Sequence, residues 1–291
     1  MKSIQESFNY YQDVSNAKKK SLDELCADPV IASFMKKNGF TRKDMDQYWL
    51  ELLNFKDDYP VCLNCKGIHT CPKKLIGFKR KLVIEDGMVR IEMEPCPYEQ
   101  EQESNNRVLS HISTNLPKKL FADQIKELET KNPILLLNML QFATGVKKDG
   151  IYLYGPTQSG KTKMMAYFAY YMANNGKEVA MYNVPNLMGT LKSSFNDDEI
   201  NSNEILYKLK TVDLLILDDI GGENFSTWSR DEIISTIIEE RVLSELPTFF
   251  TSVYSYEDLS DYYTNPKQKG DHIKVTKLIE KIKAVTTSIQ S

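Results

Sequence analysis

Residues 155–162 read Gly-Pro-Thr-Gln-Ser-Gly-Lys-Thr, between the apolar run Ile151 to Tyr154 and the stretch Lys163-Met-Met-Ala-Tyr-Phe-Ala-Tyr-Tyr-Met-Ala. A strand, a glycine-bounded loop closing on Lys-Thr and a helix together make a phosphate-binding unit. The residue types explain the spacing. Glycines let backbone N–H groups turn inward around an anion, and the helix N-terminus adds uncapped N–H groups and a favourable dipole. Lys161 is placed to reach β and γ phosphates and the Thr162 hydroxyl to ligate Mg²⁺. Gly155, Pro156, Thr157, Gln158, Ser159, Gly160, Lys161 and Thr162 are therefore the candidate ATP-binding residues. A glycine-bearing turn with a surface lysine would also carry these letters, but would rarely fall between a strand and a helix.

A second run, Val212-Asp-Leu-Leu-Ile-Leu-Asp-Asp-Ile, leads an apolar strand into Asp218 and Asp219. In a parallel sheet such a strand delivers both carboxylates to the carboxyl edge, beside the phosphate loop. Asp218 is the candidate for holding Mg²⁺ with Thr162, and Asp219 for orienting or deprotonating the attacking water. Lys161, Asp218 and Asp219 form the candidate catalytic set. Acidic pairs also end strands as helix caps, so the phosphate loop is what gives this pair its meaning.

Around these motifs the chain alternates strand and helix: Ile151 to Tyr154, Glu178 to Val184, Val212 to Leu217 and Thr248 to Val253, each followed by a helical pattern. Apolar strands alternating with helices predict a three-layer α/β domain with a parallel sheet covered on both faces. Apolar and charged fractions of 41% and 26% are those of a folded globular chain. A net charge of −3 gives no global attraction to nucleic acid or anionic lipid, so any nucleic-acid surface has to be local. The N-terminus lacks a signal-peptide core, and no run approaches the roughly 20 apolar residues of a membrane helix, which predicts a cytoplasmic protein with no membrane contact.

Before about residue 100 the chain has another character. Leu22, Leu25, Val30, Ile31, Phe34 and Met35, then Met45, Tyr48, Trp49, Leu52 and Leu53, recur at helical spacing. Two alternating runs around Asp86-Gly87 predict a hairpin that delivers Cys96. Cys62, Cys65, Cys71 and Cys96 supply four thiols, the number that closes a structural Zn²⁺ site, with His69 as an alternative ligand. Small reduced cysteines can equally be buried apolar residues. The basic run Lys73, Lys74, Lys79, Arg80 and Lys81 with Phe78 reads first as a solvated hairpin face and second as a DNA contact. The polar stretch 99–106 is too hydrophilic to bury and predicts a linker or exposed loop, dividing the chain into 1–105 and 106–291.

From residue 150 onward the wording YGPTQSGKT, LLILDDIGGE, WSRDEI and LPTFFTS resembles the bacterial replicative helicase loaders of the DnaC/DnaI group of AAA+ ATPases. The resemblance is strongest to loaders with a cysteine-rich N-terminal region. It implies an AAA+ P-loop domain preceded by a small helical zinc-binding, helicase-interaction domain, with ATP, Mg²⁺ and Zn²⁺ as cofactors. It also implies partners: the replicative hexameric DNA helicase, single-stranded DNA, and further copies of the chain joined through the AAA+ domains. Two departures stand out. Where the group usually has Asn after Phe-Thr-Ser this chain has Val253, leaving Thr251 or Ser252 to substitute or merely to face outward. Where the group has arginines in a late helix this chain has Lys277 and Lys281, which keep the charge and lose the planar fork. Those lysines, with Arg230 and Arg241, are the candidate trans-acting or sensor groups, or the lysines are a solvated helix face. Slow hydrolysis is the expected consequence.

The sequence thus supports a primosomal helicase loader whose ATP state controls its grip. Two alternatives stay open at this point: a transposition helper ATPase resembling IstB, and an adaptor that binds ATP without hydrolysing it.

Overall fold

The chain is described by a computed structural model covering residues 4–121, 132–194 and 201–291, with side chains from residue 14 onward. It divides into two units, Met1–Ser104 and Asn105–Ser291.

The first unit opens with four helices, α1 (Ile4–Ala27), α2 (Pro29–Lys37), α3 (Arg42–Gln47) and α4 (Trp49–Leu63). Local chemistry sets the breaks between them. The Asp28 carboxylate accepts from the N–H groups of Val30 and Ile31, and Pro29 occupies the first turn, where its missing N–H is not needed. Thr41 and Asp44 form a reciprocal capping box at the start of α3. Strands β1 (Phe78–Glu85) and β2 (Met88–Pro95) pair antiparallel over their full length. Asp86 and Gly87 both take positive φ, 53° and 75°, the two-residue turn whose twist matches the strands. Leu82 and Val89 from the hairpin pack with Leu25, Ile31, Met35, Met45, Leu52 and Phe55 of the helices. The hairpin ends at Pro95 and hands the chain to Cys96, as the sequence implied.

One expectation fails here. Residues 99–106 contain the division between the two units, as expected, but they form no loop and lie within helix α5 (Pro97–Ser110). Glutamate and glutamine are good helix formers, proline suits the first turn, and Val108 gives the helix a buried anchor. Hydrophilicity forbade burial of this stretch, not helicity.

The second unit is a six-stranded parallel sheet of β3 (Ile112–Thr114), β4 (Gly150–Tyr154), β5 (Val179–Asn183), β6 (Leu214–Asp218), β7 (Thr248–Ser252) and β8 (Thr286–Gln290). Their order is β3-β5-β6-β7-β4-β8. Along β4, Ile151 and Leu153 join one apolar cluster with Met165, Phe168 and Phe249, and Tyr152 joins the other with Leu215, Phe250, Val275 and Ile279. Burial on both faces, about 1.5–3 kcal/mol for each large apolar side chain, holds the three layers together. Helix α6 (Pro133–Ala143) precedes β4 and α7 (Lys161–Asn174) follows the phosphate loop. Next come α8 (Val184–Ser193) and α9 (Ser202–Thr211), then α10 (Ser235–Leu243), α11 (Tyr256–Tyr263) and α12 (Asp271–Val285). The expected strands appear with ends shifted by one or two residues: β6 starts at Leu214 because Val212 ends α9. Strands β3 and β8, at the sheet edges, were not anticipated. Among the described residues no helix is long and apolar enough to cross a membrane.

Candidate functional site

Because the strands are parallel, the carboxyl ends of β4, β5, β6 and β7 open on one edge of the sheet, and the two motifs meet there. Strand β4 lies between β7 and β8 and hands the chain to the phosphate loop. Gly160, at φ 94°, begins α7 with no side-chain cap, so the first-turn N–H groups of that helix face the loop unclaimed by any capping side chain. Gln158 takes φ 64°, a left-handed backbone uncommon outside glycine. The Lys161 side chain folds along the loop and is 8% exposed. Its Nζ donates to the carbonyl oxygens of Gly155 at 2.8 Å and Pro156 at 2.7 Å, and to Ser159 Oγ at 3.4 Å. Burial lowers the pKa of this ammonium, and the charges of Asp219 and Asp218 oppose the shift.

Asp218 ends β6 and is 2% exposed. Its Oδ1 accepts the Thr251 hydroxyl at 2.7 Å and its Oδ2 the Asn183 side-chain amide at 3.3 Å. The Asp219 backbone N–H donates to the same Thr251 oxygen at 2.8 Å. Thr251 thus ties both members of the acidic pair to the neighbouring strand. Asp219 has φ 60°, the second non-glycine residue of the site held in the left-handed region. Burial pushes its carboxyl pKa up, the Asp218 charge adds to this, and Lys161 opposes it. The Asp218 carboxylate is thus held by side-chain donors from both flanking strands, with Asp219 next to it at the end of β6.

The donor set fits a nucleotide and Mg²⁺. An uncapped helix N-terminus, a Cβ-free Gly160, a loop-facing ammonium and adjacent carboxylates form an anion cradle with an acidic wall. Lys161 is coupled electrostatically to Asp218 and Asp219, the catalytic set the motifs indicated.

Other expected site residues lie elsewhere. Thr251 and Ser252 are not an outward-facing strand end: both are buried, and Ser252 Oγ donates to the Ile220 carbonyl at 2.7 Å. Val253 is half-buried and offers no polar atom. Arg230 is not placed as a trans-acting group, being 1% exposed, with NH1 and NH2 donating to the Asp271 carboxylate at 2.7 Å each. NH1 also reaches the Tyr263 carbonyl, and Nε reaches Asp231. Arg241 is 0% exposed and donates to Thr248 Oγ1 and to the carbonyls of Leu209, Val212 and Pro247. Burial drives its pKa down to about 10. Both guanidiniums are fold-holding hubs. Lys277 is exposed, and Lys281 is paired with Glu239 at 2.8 Å.

The expected zinc set is not assembled. Among the described residues no three His, Cys, Asp or Glu side chains gather as a metal site, and Cys62, Cys65, Cys71 and Cys96 are free thiols. Cys62 Sγ accepts from Lys73 Nζ at 2.9 Å, and that ammonium is itself paired with Asp58 at 2.7 Å. Cys65 Sγ turns to the Gly67 carbonyl, 3.6 Å away. The basic run is likewise engaged within its own unit, Lys79 and Lys81 with Glu94 and Arg80 with the Asn54 carbonyl.

Sequence reasoning missed Asn183 and the role of Thr251. Both sit at carboxyl ends of strands that flank β6, a signal readable only once the strand order is known.

Comparison with known proteins adds to this geometry. Residues 122–271 match the family described as IstB-like ATP binding protein, and residues 1–93 match the family described as Primosomal protein DnaI N-terminus. The chain is 28% identical to the replicative helicase loader DnaI of Bacillus subtilis over 272 residues, 89% of this chain and 86% of that protein. It is 27% identical to the replicative helicase loader DnaC of Escherichia coli K12 over 106 residues, 36% of this chain and 43% of the relative. A crystal structure of DnaI superposes with a TM-score of 0.53 at 26% identity, covering 63% of this chain and 96% of that one. A putative primosome component from Streptococcus pyogenes superposes with a TM-score of 0.51 at 25% identity, covering 64% of this chain and 94% of that one.

Proposed function

The chain belongs to the IstB-like ATP binding protein family, and we propose that it is a primosomal loader that uses its ATP state to grip the replicative DNA helicase and deliver it onto single-stranded DNA. The observation that carries this reading is the coincidence of two matches in one chain. Residues 1–93 match a primosomal N-terminal family, and likeness to a replicative helicase loader extends over 89% of the chain. In this reading residues 1–105 dock on the hexameric helicase, and residues 106–291 form the AAA+ ATPase that self-associates and holds the DNA strand. The work is cytoplasmic.

Lys161 neutralises the β and γ phosphate oxygens while N–H groups of the loop and of the first turn of α7 surround them. Thr162 and Asp218 hold Mg²⁺, which supplies charge neutralisation on the phosphates. Asp219 orients the attacking water, and Thr251 ties the Asp218 carboxylate to the Asp219 backbone N–H. Turnover is slow, because Val253 has no group to place that water and Lys277 and Lys281 lack a guanidinium fork. A transposition helper shares the ATPase core, but the match over residues 1–93 favours the loader.

Delivery tests the proposal directly. The replicative helicase of the same organism is mixed with circular single-stranded DNA, and DNA-bound helicase is separated by gel filtration with and without this protein and ATP. The expected result is helicase on DNA in amounts that rise about tenfold or more with both present, the scale of a coupling near 1.4 kcal/mol. Equal loading with and without the protein would refute it, and recovery of a transposase in its place would favour the transposition reading.

A further inference from the structure

The turn that follows the acidic pair contains a buried carboxylate with no part in the chemistry above. Glu223 is 2% exposed. Its Oε1 accepts the Tyr263 hydroxyl at 2.6 Å and its Oε2 the Gly221 N–H at 2.9 Å. Its backbone carbonyl accepts from the Tyr262 hydroxyl. Burial raises the pKa of this carboxyl, and the donors from Tyr263 and Gly221 pull it back. A buried carboxyl is tolerated only when its oxygens are satisfied, and here both are.

Its effect falls on the backbone between itself and Asp219. Asp219 and Gly221 both adopt positive φ, 60° and 87°. A left-handed non-glycine residue costs about 1–2 kcal/mol and persists only where its surroundings over-determine it. Ile220 is pinned to β7 on both sides, its N–H on the Thr251 carbonyl at 2.9 Å and its carbonyl under the Ser252 hydroxyl. Glu223 supplies the next pin, at Gly221. The Gly222 N–H then returns to the Asp219 carbonyl at 3.0 Å, and a Cβ on Gly222 would lie 2.3 Å from Asp219 Oδ2. The Asp219 carboxylate therefore rests against the backbone of Gly222, and its direction follows the path of residues 220–222.

We propose that Glu223, clasped by Tyr263, is the positioning residue of the acidic pair: it fixes the 219–222 turn and through it the aim of the Asp219 carboxylate. This rests on the ATPase reading of the site. Tyr263 is the last residue of α11, and its carbonyl receives Arg230 NH1, so the clasp is anchored to the buried Arg230–Asp271 pair.

Three full-length variants test it: Glu223→Ala, Glu223→Gln and Tyr263→Phe. Glu223→Ala is expected to lower kcat for ATP hydrolysis about tenfold or more with the ATP Kd within about twofold of wild type, the signature of a misaimed group rather than a lost contact. Glu223→Gln keeps the shape and one of two acceptor roles and falls between; Tyr263→Phe falls about threefold in kcat, and it remains informative where Glu223→Ala fails to fold. Hydrogen exchange at the Gly221 amide, followed without nucleotide, speeds up in Glu223→Ala and stays slow in wild type. Unchanged kcat, or kcat falling with Kd and thermal midpoint while Gly221 exchange is unaltered, overturns the proposal. Absence of turnover in the wild type sinks the ATPase reading instead, and Gly221 exchange then decides the clasp alone.

Discussion

Lys161→Ala is expected to bind ATP about 100-fold more weakly than wild type and to show no ATP hydrolysis above background. The loss follows from the place of the ammonium. It is nearly buried and lies along the loop within hydrogen-bond reach of the Gly155 and Pro156 carbonyls, with two carboxylates close enough to bias its titration. A charge-assisted hydrogen bond to a phosphate oxygen contributes about 1.5–3 kcal/mol, and about 2.7 kcal/mol corresponds to the stated weakening. The stability of the fold changes little, because the ammonium's partners within the chain are loop carbonyls and a hydroxyl that water can satisfy. Fluorescence titration with a labelled ATP and a phosphate-release assay measure both effects. Retained affinity and turnover would place the nucleotide elsewhere.

The second large effect belongs to Arg230 and Asp271. Asp271→Ala and Arg230→Ala are each expected to destabilise the second unit by about 3–5 kcal/mol, the usual consequence of leaving one buried partner uncompensated. Replacing both by apolar residues of similar size is expected to cost much less. The pair also sets a pH dependence. Donors from Arg230 outweigh the cost of burial and hold the Asp271 carboxyl down to about 2. A carboxyl depressed in the folded state contributes its stability above the ordinary carboxylate range, near pH 4, and loses it as pH falls toward about 2. The urea midpoint of wild type should therefore drop between about pH 4 and pH 2 more steeply than that of Asp271→Asn. An Arg230→Ala protein of full stability that lacked only turnover would instead assign Arg230 to a neighbour's nucleotide.

What could be read from the letters divides along physical lines. The phosphate loop, the acidic pair and the central strands were legible because each is local: an unbroken apolar run and a spacing tied to backbone geometry. Strands β3 and β8 were not, since one has three residues and the other, Thr286 to Gln290, buries only Ile289. An edge strand needs little apolar content. Residues 99–106 misled because polarity was taken for irregularity in a stretch rich in helix formers. Arg230 misled for a related reason: a charged residue in Trp-Ser-Arg-Asp-Glu-Ile reads as solvent-facing, and the carboxylate that buries it, Asp271, is supplied 41 positions later in the chain. Arg241 is buried by three backbone carbonyls and the Thr248 hydroxyl, neutral acceptors that leave no mark of a charged partner in the sequence. The four thiols illustrate the opposite limit, a spacing suited to metal whose side chains are not gathered into a site.

Nucleotide control of the grip on helicase is open to one direct measurement: retention of the replicative helicase by the immobilised wild-type chain with ATP, with ADP and with neither, repeated with Lys161→Ala. Retention by the wild type should differ about tenfold between ATP and ADP, while the variant should hold helicase equally in all three conditions. Identical retention by the wild type in the three conditions would contradict an ATP-switched loader.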